Sequence, residues 1–490
     1  MRKMIVARSV IAAVFSLAVL AGNRPAAANM GAASATATKP TVETRPNILF
    51  ILADDMGYGD LSLTGNTQVS TPNIDRLARE GLVMTQFYDP APICSASRAG
   101  FITGQFPARN RFVTYIDTRK RNGMMGQANW LDPSVQTLPR ALKGAGYATG
   151  HFGKWHLGGG RDVGDAPLPT AYGFDESYTQ FEGLGPRGLP NDLPGSLAKQ
   201  SADLGKGPID WLERAQVTSR YVDKTLAFAA RNKGRPWFAQ MWLDDVHTPW
   251  LPDSEQETAI GNAGDTAREK KFLSVLAAMD RQVGRLIDTL RATGQLDNTL
   301  IVFTSDNGPT VGANTPGSAG PYRGRKGSLY EGGIRQPLIV RWPGRVPAGV
   351  RDATTVGQGV DLYPTLAAIG GATPPAAPDG ISLVSAWRGK PIAEHPALYG
   401  YIARPARAGD AAGPPVSIRS DRWKLLANLD GSAAELYDVV GDPRESHDVL
   451  SAQPVVAKGL TEKLVTWVKA MRLQPPIDPN AQRAQPGPVE

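Results

Sequence analysis

Two pairs of oxygen-bearing side chains stand out, Asp54-Asp55 and Asp306-Asn307. Each closes a short apolar run, Ile48-Leu49-Phe50-Ile51-Leu52 in the first case and Leu300-Ile301-Val302-Phe303 in the second. Three carboxylates and an amide oxygen are hard donors, suited to Ca²⁺ or Mg²⁺ rather than zinc. With only five histidines in the chain, a His-rich two-zinc site is disfavoured. Either pair alone reads most simply as a turn before glycine. Two such pairs behind two similar runs leave turn and metal site evenly open. The third feature is the only cysteine, Cys94, inside Pro92-Ile93-Cys94-Ser95-Ala96-Ser97-Arg98. A lone cysteine is most often a small buried hydrophobe, but Ser, Ala, Ser and Arg neighbours do not make a core strand.

Unbroken apolar runs ending in turn residues suit strands covered on both faces, and ligand groups in open α/β sheets gather beyond the carboxyl ends of such strands. Helical patterns lie between them. Thr71-Pro72-Asn73 opens one that carries Leu77, Ala78 and Leu82, with Gly81 weakening its end. Leu138-Pro139-Arg140-Ala141-Leu142 opens another, ended by Gly144 and Gly146. The longest amphipathic stretch runs from Phe272 to Leu290. Strands alternating with helices give an α/β architecture. Residues 158–215 are rich in Gly, Pro and Asp with little periodicity and read as long loops over one face. Beyond about residue 385 the texture changes to alternating segments at 416–419 and 423–426, a helix near 455–472 and a Pro-rich tail at 476–490, a small sheet with one helix packed as a second domain.

The N-terminus reads as an export signal. Arg2 and Lys3 precede the short apolar stretch from Val10 to Ala21, and Ala26-Ala27-Ala28 offers a cleavage point. The apolar stretch is too short for a bilayer span, so no membrane anchor is expected. Loss of residues 1–28 removes Arg2, Lys3, Arg8 and Arg24 and no acid, lowering the formal charge from +7 to +3, and nothing argues for nucleic acid. Residues 29–44 read as a flexible lead-in. A periplasmic or secreted chain with one cysteine has no intrachain disulfide, and its thiol must be buried, paired with another chain or chemically converted.

Cys94-Ser95-Ala96-Ser97-Arg98 with Thr103-Gly104 resembles the signature of the sulfatases. Asn47 to Gly57 resembles that family's opening strand and first metal pair, and Gly153-Lys154-Trp155-His156-Leu157-Gly158 its second signature. His247-Thr248-Pro249 resembles the segment with a catalytic histidine, Gly324 to Gly333 the late lysine motif, and Leu436-Tyr437-Asp438 to Asp442-Pro443 a C-terminal feature. The resemblance runs from about Pro46 to Leu450. It implies a large mixed sheet sandwiched by helices, alkaline-phosphatase-like, over 45–385, and a smaller α+β domain over 386–475. It implies that Cys94 is oxidised to formylglycine by a maturation enzyme, its hydrate attacking sulfur, and that Asp54, Asp55, Asp306 and Asn307 hold one Ca²⁺ that also meets position 94. Lys154 and Lys326 then bind sulfate oxygens and Arg98 orients the diol. His156 accepts a proton as the aldehyde re-forms, and His247 binds substrate and protonates the leaving alcohol. The family most often has proline where this chain has Ala96, a difference that bears on which maturation system acts.

The expected reaction is hydrolysis of an aryl or carbohydrate sulfate ester. A formylglycine phosphodiesterase or phosphonate monoester hydrolase would share the same arrangement. An exported sulfated-glycan-binding protein without catalysis is a reading of another class, against which the full set of ligands and both histidines count. An alkaline-phosphatase-like zinc enzyme lacks its histidines and its serine or threonine nucleophile. Asp244, Asp245 and Trp250 beside His247, with Tyr178 and Phe181, are rim candidates equally suited to core or turn roles. His151, His395 and His447 read as structural or surface residues.

Overall fold

The computed structural model describes residues 45–312, 315–392, 394–403 and 413–477. The expected signal, lead-in and most of the expected tail lie outside these residues. The central sheet takes β1 (Asn47–Ala53), β2 (Leu82–Tyr88), β3 (Ala148–Gly153), β4 (Glu176–Tyr178), β7 (Trp237–Trp242), β8 (Thr299–Ser305), β9 (Arg335–Arg341) and β10 (Val350–Gln358). Between β4 and β7, a two-stranded sheet pairs β5 (Arg187–Pro190) with β6 (Ile209–Leu212). The central order is β10-β2-β9-β8-β1-β7-β3-β4. Only β9 runs antiparallel to its neighbours.

Both apolar runs are wholly buried strands, as their composition requires. Alternate residues of β1 feed opposite layers. Ile48, Phe50 and Leu52 pack with Ala99, Phe101 and Ile102 of the helix Cys94–Thr103, and with Leu138 and Leu142 of the helix Leu138–Gly144. Leu49 and Ile51 pack on the other side with Leu77, Phe228 and Leu276, from the helices Pro72–Arg79, Val217–Arg231 and Ala267–Ala292. Helices therefore cover both faces of a mixed sheet, as expected.

Two expectations need correction. Leu82 does not extend the first helix; that helix stops at Arg79, and Leu82 opens β2. Gly81 lies so close to β9 that a Cβ there would fall 2.2 Å from the Val340 carbonyl oxygen, so the chain is already entering the sheet. The 158–215 stretch is not only loops. It holds β4, which joins the sheet edge, the β5–β6 pair and the helix Leu197–Asp203. Elements of three to seven residues are too short to leave a readable period.

The C-terminal sheet is antiparallel: β11 (Leu398–Tyr401), β12 (Val416–Ser420), β13 (Trp423–Ala427) and β14 (Glu435–Asp438). Val416, Ile418 and Leu425 pack against Leu460, Leu464 and Trp467 of the helix Pro454–Ala470, while Leu426 and Tyr437 join the core beside the large sheet.

Candidate active site

β1 and β8 are adjacent and parallel, with Ala53 opposite Ser305. That register sets Asp54-Asp55 beside Asp306-Asn307 at one sheet edge. The Asp55 N–H donates to Asp306 Oδ1 at 3.2 Å, and Asn307 Nδ2 donates to Asp55 Oδ1 at 2.7 Å. All four residues are buried. Asp55 makes the turn with φ +63°, in the left-handed region that Asp enters more readily than most residues.

Cys94 is the first residue of a fully buried helix, so its side chain sits at the positive end of the helix dipole. Sγ lies 3.2 Å from Asp54 Oδ1, 3.8 Å from Asp55 Oδ1 and 3.1 Å from Lys326 Nζ. One turn on, Arg98 reaches across to Asp306 Oδ2 through Nε at 2.9 Å, and it donates to the Lys154 carbonyl at 2.8 Å. Lys326 is 2.6 Å from Asp55, and Lys154, just past β3, is 2.6 Å from Asp54.

The histidines enter from two sides. His247 Nε2 is 3.7 Å from Asp55 Oδ2, and at 27% its side chain is more open than those of Lys326, Lys154 and His156. His156 is tied to the cluster through Glu182, whose Oε2 lies 3.2 Å from His156 Nδ1 and 3.3 Å from Lys154 Nζ. The structure thus brings together the sequence-derived site residues. Glu182 is a participant that sequence reasoning missed, as is Thr310, whose hydroxyl donates to Asp55 Oδ2 at 2.7 Å. Glu182 sits in a stretch without periodicity, and only the fold brings it beside His156.

Electrostatics follow from packing. Burial works to raise Asp54 and Asp55, but Lys154 beside the first and Lys326 beside the second hold both low. Burial and the nearby Asp54 charge push Asp306 up. Burial, reinforced by Asp54, also pushes the Cys94 thiol up, so as encoded it is a poor thiolate nucleophile. Burial depresses both histidines, His156 to about 3. Burial would raise Glu182, yet His156 and Lys154 hold it at about 2.

The donor set fits a hard divalent cation. Oxygens of Asp54 and Asp55 lie with Cys94 Sγ and a His247 nitrogen within 4.8 Å of one another. Asp306 adjoins them, and Asn307 Oδ1 is buried without a hydrogen-bond partner. Crowded carboxylates and an orphaned amide oxygen are what such an ion would satisfy.

Of the other histidines, His151 is enclosed by Trp155, Phe174 and Trp242, His395 pairs with Asp361 at 2.8 Å, and His447 is exposed. Asp244 is buried on Arg214 at 3.0 Å and Trp250 is core, whereas Asp245 bonds Thr218. Tyr178 packs on Tyr221.

The family model described as Sulfatase matches residues 46–372, and one described as N-sulphoglucosamine sulphohydrolase, C-terminal, matches residues 323–472. The N-acetylgalactosamine-6-sulfatase of Canis lupus familiaris is 34% identical over 399 residues, covering 76% of this chain and 70% of that relative. The chain belongs to the sulfatase family. Sulfatase relatives include arylsulfatase A of Bos taurus, 33% identical over 85% of this chain and 82% of its own length. The N-acetylgalactosamine-6-O-sulfatase of Bacteroides thetaiotaomicron is 30% identical over 86% of this chain and 92% of its own length. Among solved structures, Ps i-CgsB in complex with k-i-k-neocarrahexaose aligns with TM-score 0.74 and 28% identity over 90% of this chain and 96% of its own. This sulfatase is therefore a sulfuric ester hydrolase with the alkaline-phosphatase-like architecture expected of its family.

Proposed function

We propose that the chain is an exported hydrolase of carbohydrate sulfate esters, with Cys94 matured to formylglycine and Asp54, Asp55, Asp306 and Asn307 holding one calcium. The observation that carries this reading is the convergence at position 94. Three carboxylates, one amide and the cations Lys154, Lys326 and Arg98 surround the start of one buried helix. The carbohydrate class is supported by the named relatives and by the sugar complex among the structural neighbours.

A sulfate monoester carries one negative charge, and its hydrolysis needs that charge held without blocking attack on sulfur. When bound, calcium supplies positive charge to the attacking and sulfate oxygens. Formylglycine at position 94 would, as its hydrate, supply an oxygen nucleophile, and its second hydroxyl would provide for release of sulfate without a second displacement. Lys154 and Lys326, both stabilised as cations by their carboxylate partners, bind sulfate oxygens as fixed point charges. Arg98, locked on Asp306, keeps the metal-binding strand end in register with the helix that begins at position 94. His247 stands at the open side, where a leaving group exits, and gives it a proton. His156 takes a proton from position 94 in the later step.

The test is a panel of sulfated sugars, aryl sulfates, phosphate monoesters and phosphonate monoesters assayed side by side on mature protein. Sulfated sugars and aryl sulfates should be cleaved with much higher kcat/KM than either phosphorus ester. Preference for the phosphonate ester would move the assignment to a phosphonate hydrolase. Chelation should abolish turnover, with Ca²⁺ restoring it and Zn²⁺ failing to.

A further inference from the structure

We propose that Arg214 is a positioning residue for His247, holding the turn that presents this ring to the site. The inference rests on the reading of His247 as proton donor given above. β7 ends at Trp242, and no helix or strand shapes the chain again until Ser254. His247 lies inside that stretch with a side chain 27% exposed, so packing does little to fix it. A proton donor works only within hydrogen-bond reach of the departing oxygen, so the turn itself has to be held.

Arg214 reaches it from the segment between β6 and the helix Val217–Arg231, and its guanidinium grips Asp244 twice. Nη1 lies 3.0 Å from Asp244 Oδ2, and Nη2 donates to the Asp244 carbonyl oxygen. That same carbonyl accepts the His247 N–H at 3.3 Å, closing the turn. The Asp244 carboxylate has little else to hold it: Gln180 Nε2 is 3.5 Å from Oδ2, and Oδ1 has no hydrogen-bond partner among the described residues. Arg214 is itself anchored, its N–H donating to Asp192 Oδ1 at 2.9 Å just beyond β5. Two more bonds tie this segment to the His247 region, from Thr218 Oγ1 to Asp245 Oδ2 at 2.5 Å and from Gln256 Nε2 to the Ala215 carbonyl at 3.0 Å. Past the turn, His247 Nδ1 donates to the Thr248 carbonyl at 2.7 Å, which leaves Nε2 toward Asp55 Oδ2 at 3.7 Å. A planar fork engages the carboxylate and the carbonyl of one residue together, which a compact ammonium does not reproduce.

The test compares Arg214→Met, Arg214→Lys, His247→Ala and the two double variants with the wild type, as full chains matched for aldehyde content at position 94. Each is assayed on a nitrophenyl sulfate and on an alkyl sulfate. In Arg214→Met, kcat/KM should fall ~10–10²-fold on the alkyl sulfate, the order expected of an ångström's displacement, and hardly at all on the nitrophenyl sulfate. Arg214→Lys keeps a charge beside Asp244, so it serves where Arg214→Met does not fold, and it should show the same selective loss at smaller size. In the His247→Ala background, neither Arg214 substitution should cost more than about twofold further, because its effect passes through the missing ring. Equal losses on the two esters, losses that add to that of His247→Ala, or wild-type rates in folded Arg214→Lys overturn the proposal. If His247→Ala itself shows no leaving-group dependence, the proton-donor reading of His247 fails and the proposal falls with it.

Discussion

At the scale of single residues, the paired oxygen donors, the cysteine and its arginine were legible as types. Their meeting was not, because it depends on β1 and β8 being neighbours in the register Ala53 opposite Ser305. The lysines and histidines were legible only through family motifs; one lysine or histidine in a loop says nothing by itself. Glu182 left no signal at all, since an acid in a Gly-rich stretch looks like any solvated acid. In the proposed mechanism the more open His247 serves the leaving group and the more buried His156 acts in the later step. A proton donor matters most when the departing oxygen is basic. Replacing His247 with Ala should therefore leave an activated aryl sulfate nearly unaffected and cost about 10²–10⁴-fold on a sugar or alkyl sulfate. The measure is kcat/KM over a series of leaving groups, which reports the first bond cleavage. A uniform loss across the series would mean that His247 binds sulfate and does not deliver the proton.

At the scale of elements, the site depends on how strands end. β3 ends at Gly153 with φ +121°, and a Cβ there would fall 1.9 Å from the Trp242 carbonyl oxygen. That carbonyl also accepts the Lys154 N–H at 2.9 Å, so the glycine allows the close approach that seats the lysine. Gly153→Ala should strain the backbone by about 1–3 kcal/mol, seen as a lower unfolding midpoint. Displacing Lys154 by an ångström should also reduce kcat/KM on the order of 10²-fold. Wild-type turnover and midpoint in this variant would show that Lys154 is placed by its carboxylate partners alone. The elements readable beforehand were those with a strong pattern: the helix Ala267–Ala292 carried a clear helical period, and the two buried strands showed as unbroken apolar runs. The end of the first helix was misread because Leu82 keeps its apolar spacing while already belonging to β2.

At the scale of the molecule, the small sheet is fastened to the large one by buried charge. Lys424 on β13 lies 2.9 Å from Glu331 and 3.0 Å from Glu445, and Glu331 also accepts from Tyr88 at 2.6 Å and pairs with Arg335 at 3.0 Å. Glu331 closes the segment that carries Lys326, so the C-terminal sheet braces one wall of the active site. The alternating pattern at 416–426 announced this sheet, but not that Lys424 would be buried in a charged network beside Leu426 and Tyr437. Burial works to raise Glu331, and Lys424 with Arg335 more than offsets it, holding the acid at about 2. Its stabilising contribution is therefore complete above the ordinary glutamate value and drains away as pH falls through that value toward 2. Lys424→Met would leave two acids buried without their shared ammonium and should cost about 3–5 kcal/mol near neutral pH. The penalty should shrink on acidification, because protonation neutralises both acids. Denaturant unfolding at several pH values checks the sign, and a pH-independent loss would mean that packing, not charge, makes the contact.

The central claim is that turnover belongs to a converted Cys94. Peptide mass analysis across residues 92–98 should be run on preparations of graded maturation, each assayed on one sulfate ester. Turnover should rise in proportion to the fraction carrying aldehyde at position 94 and vanish where only thiol is found. Full turnover from protein whose Cys94 is entirely unmodified would contradict the account.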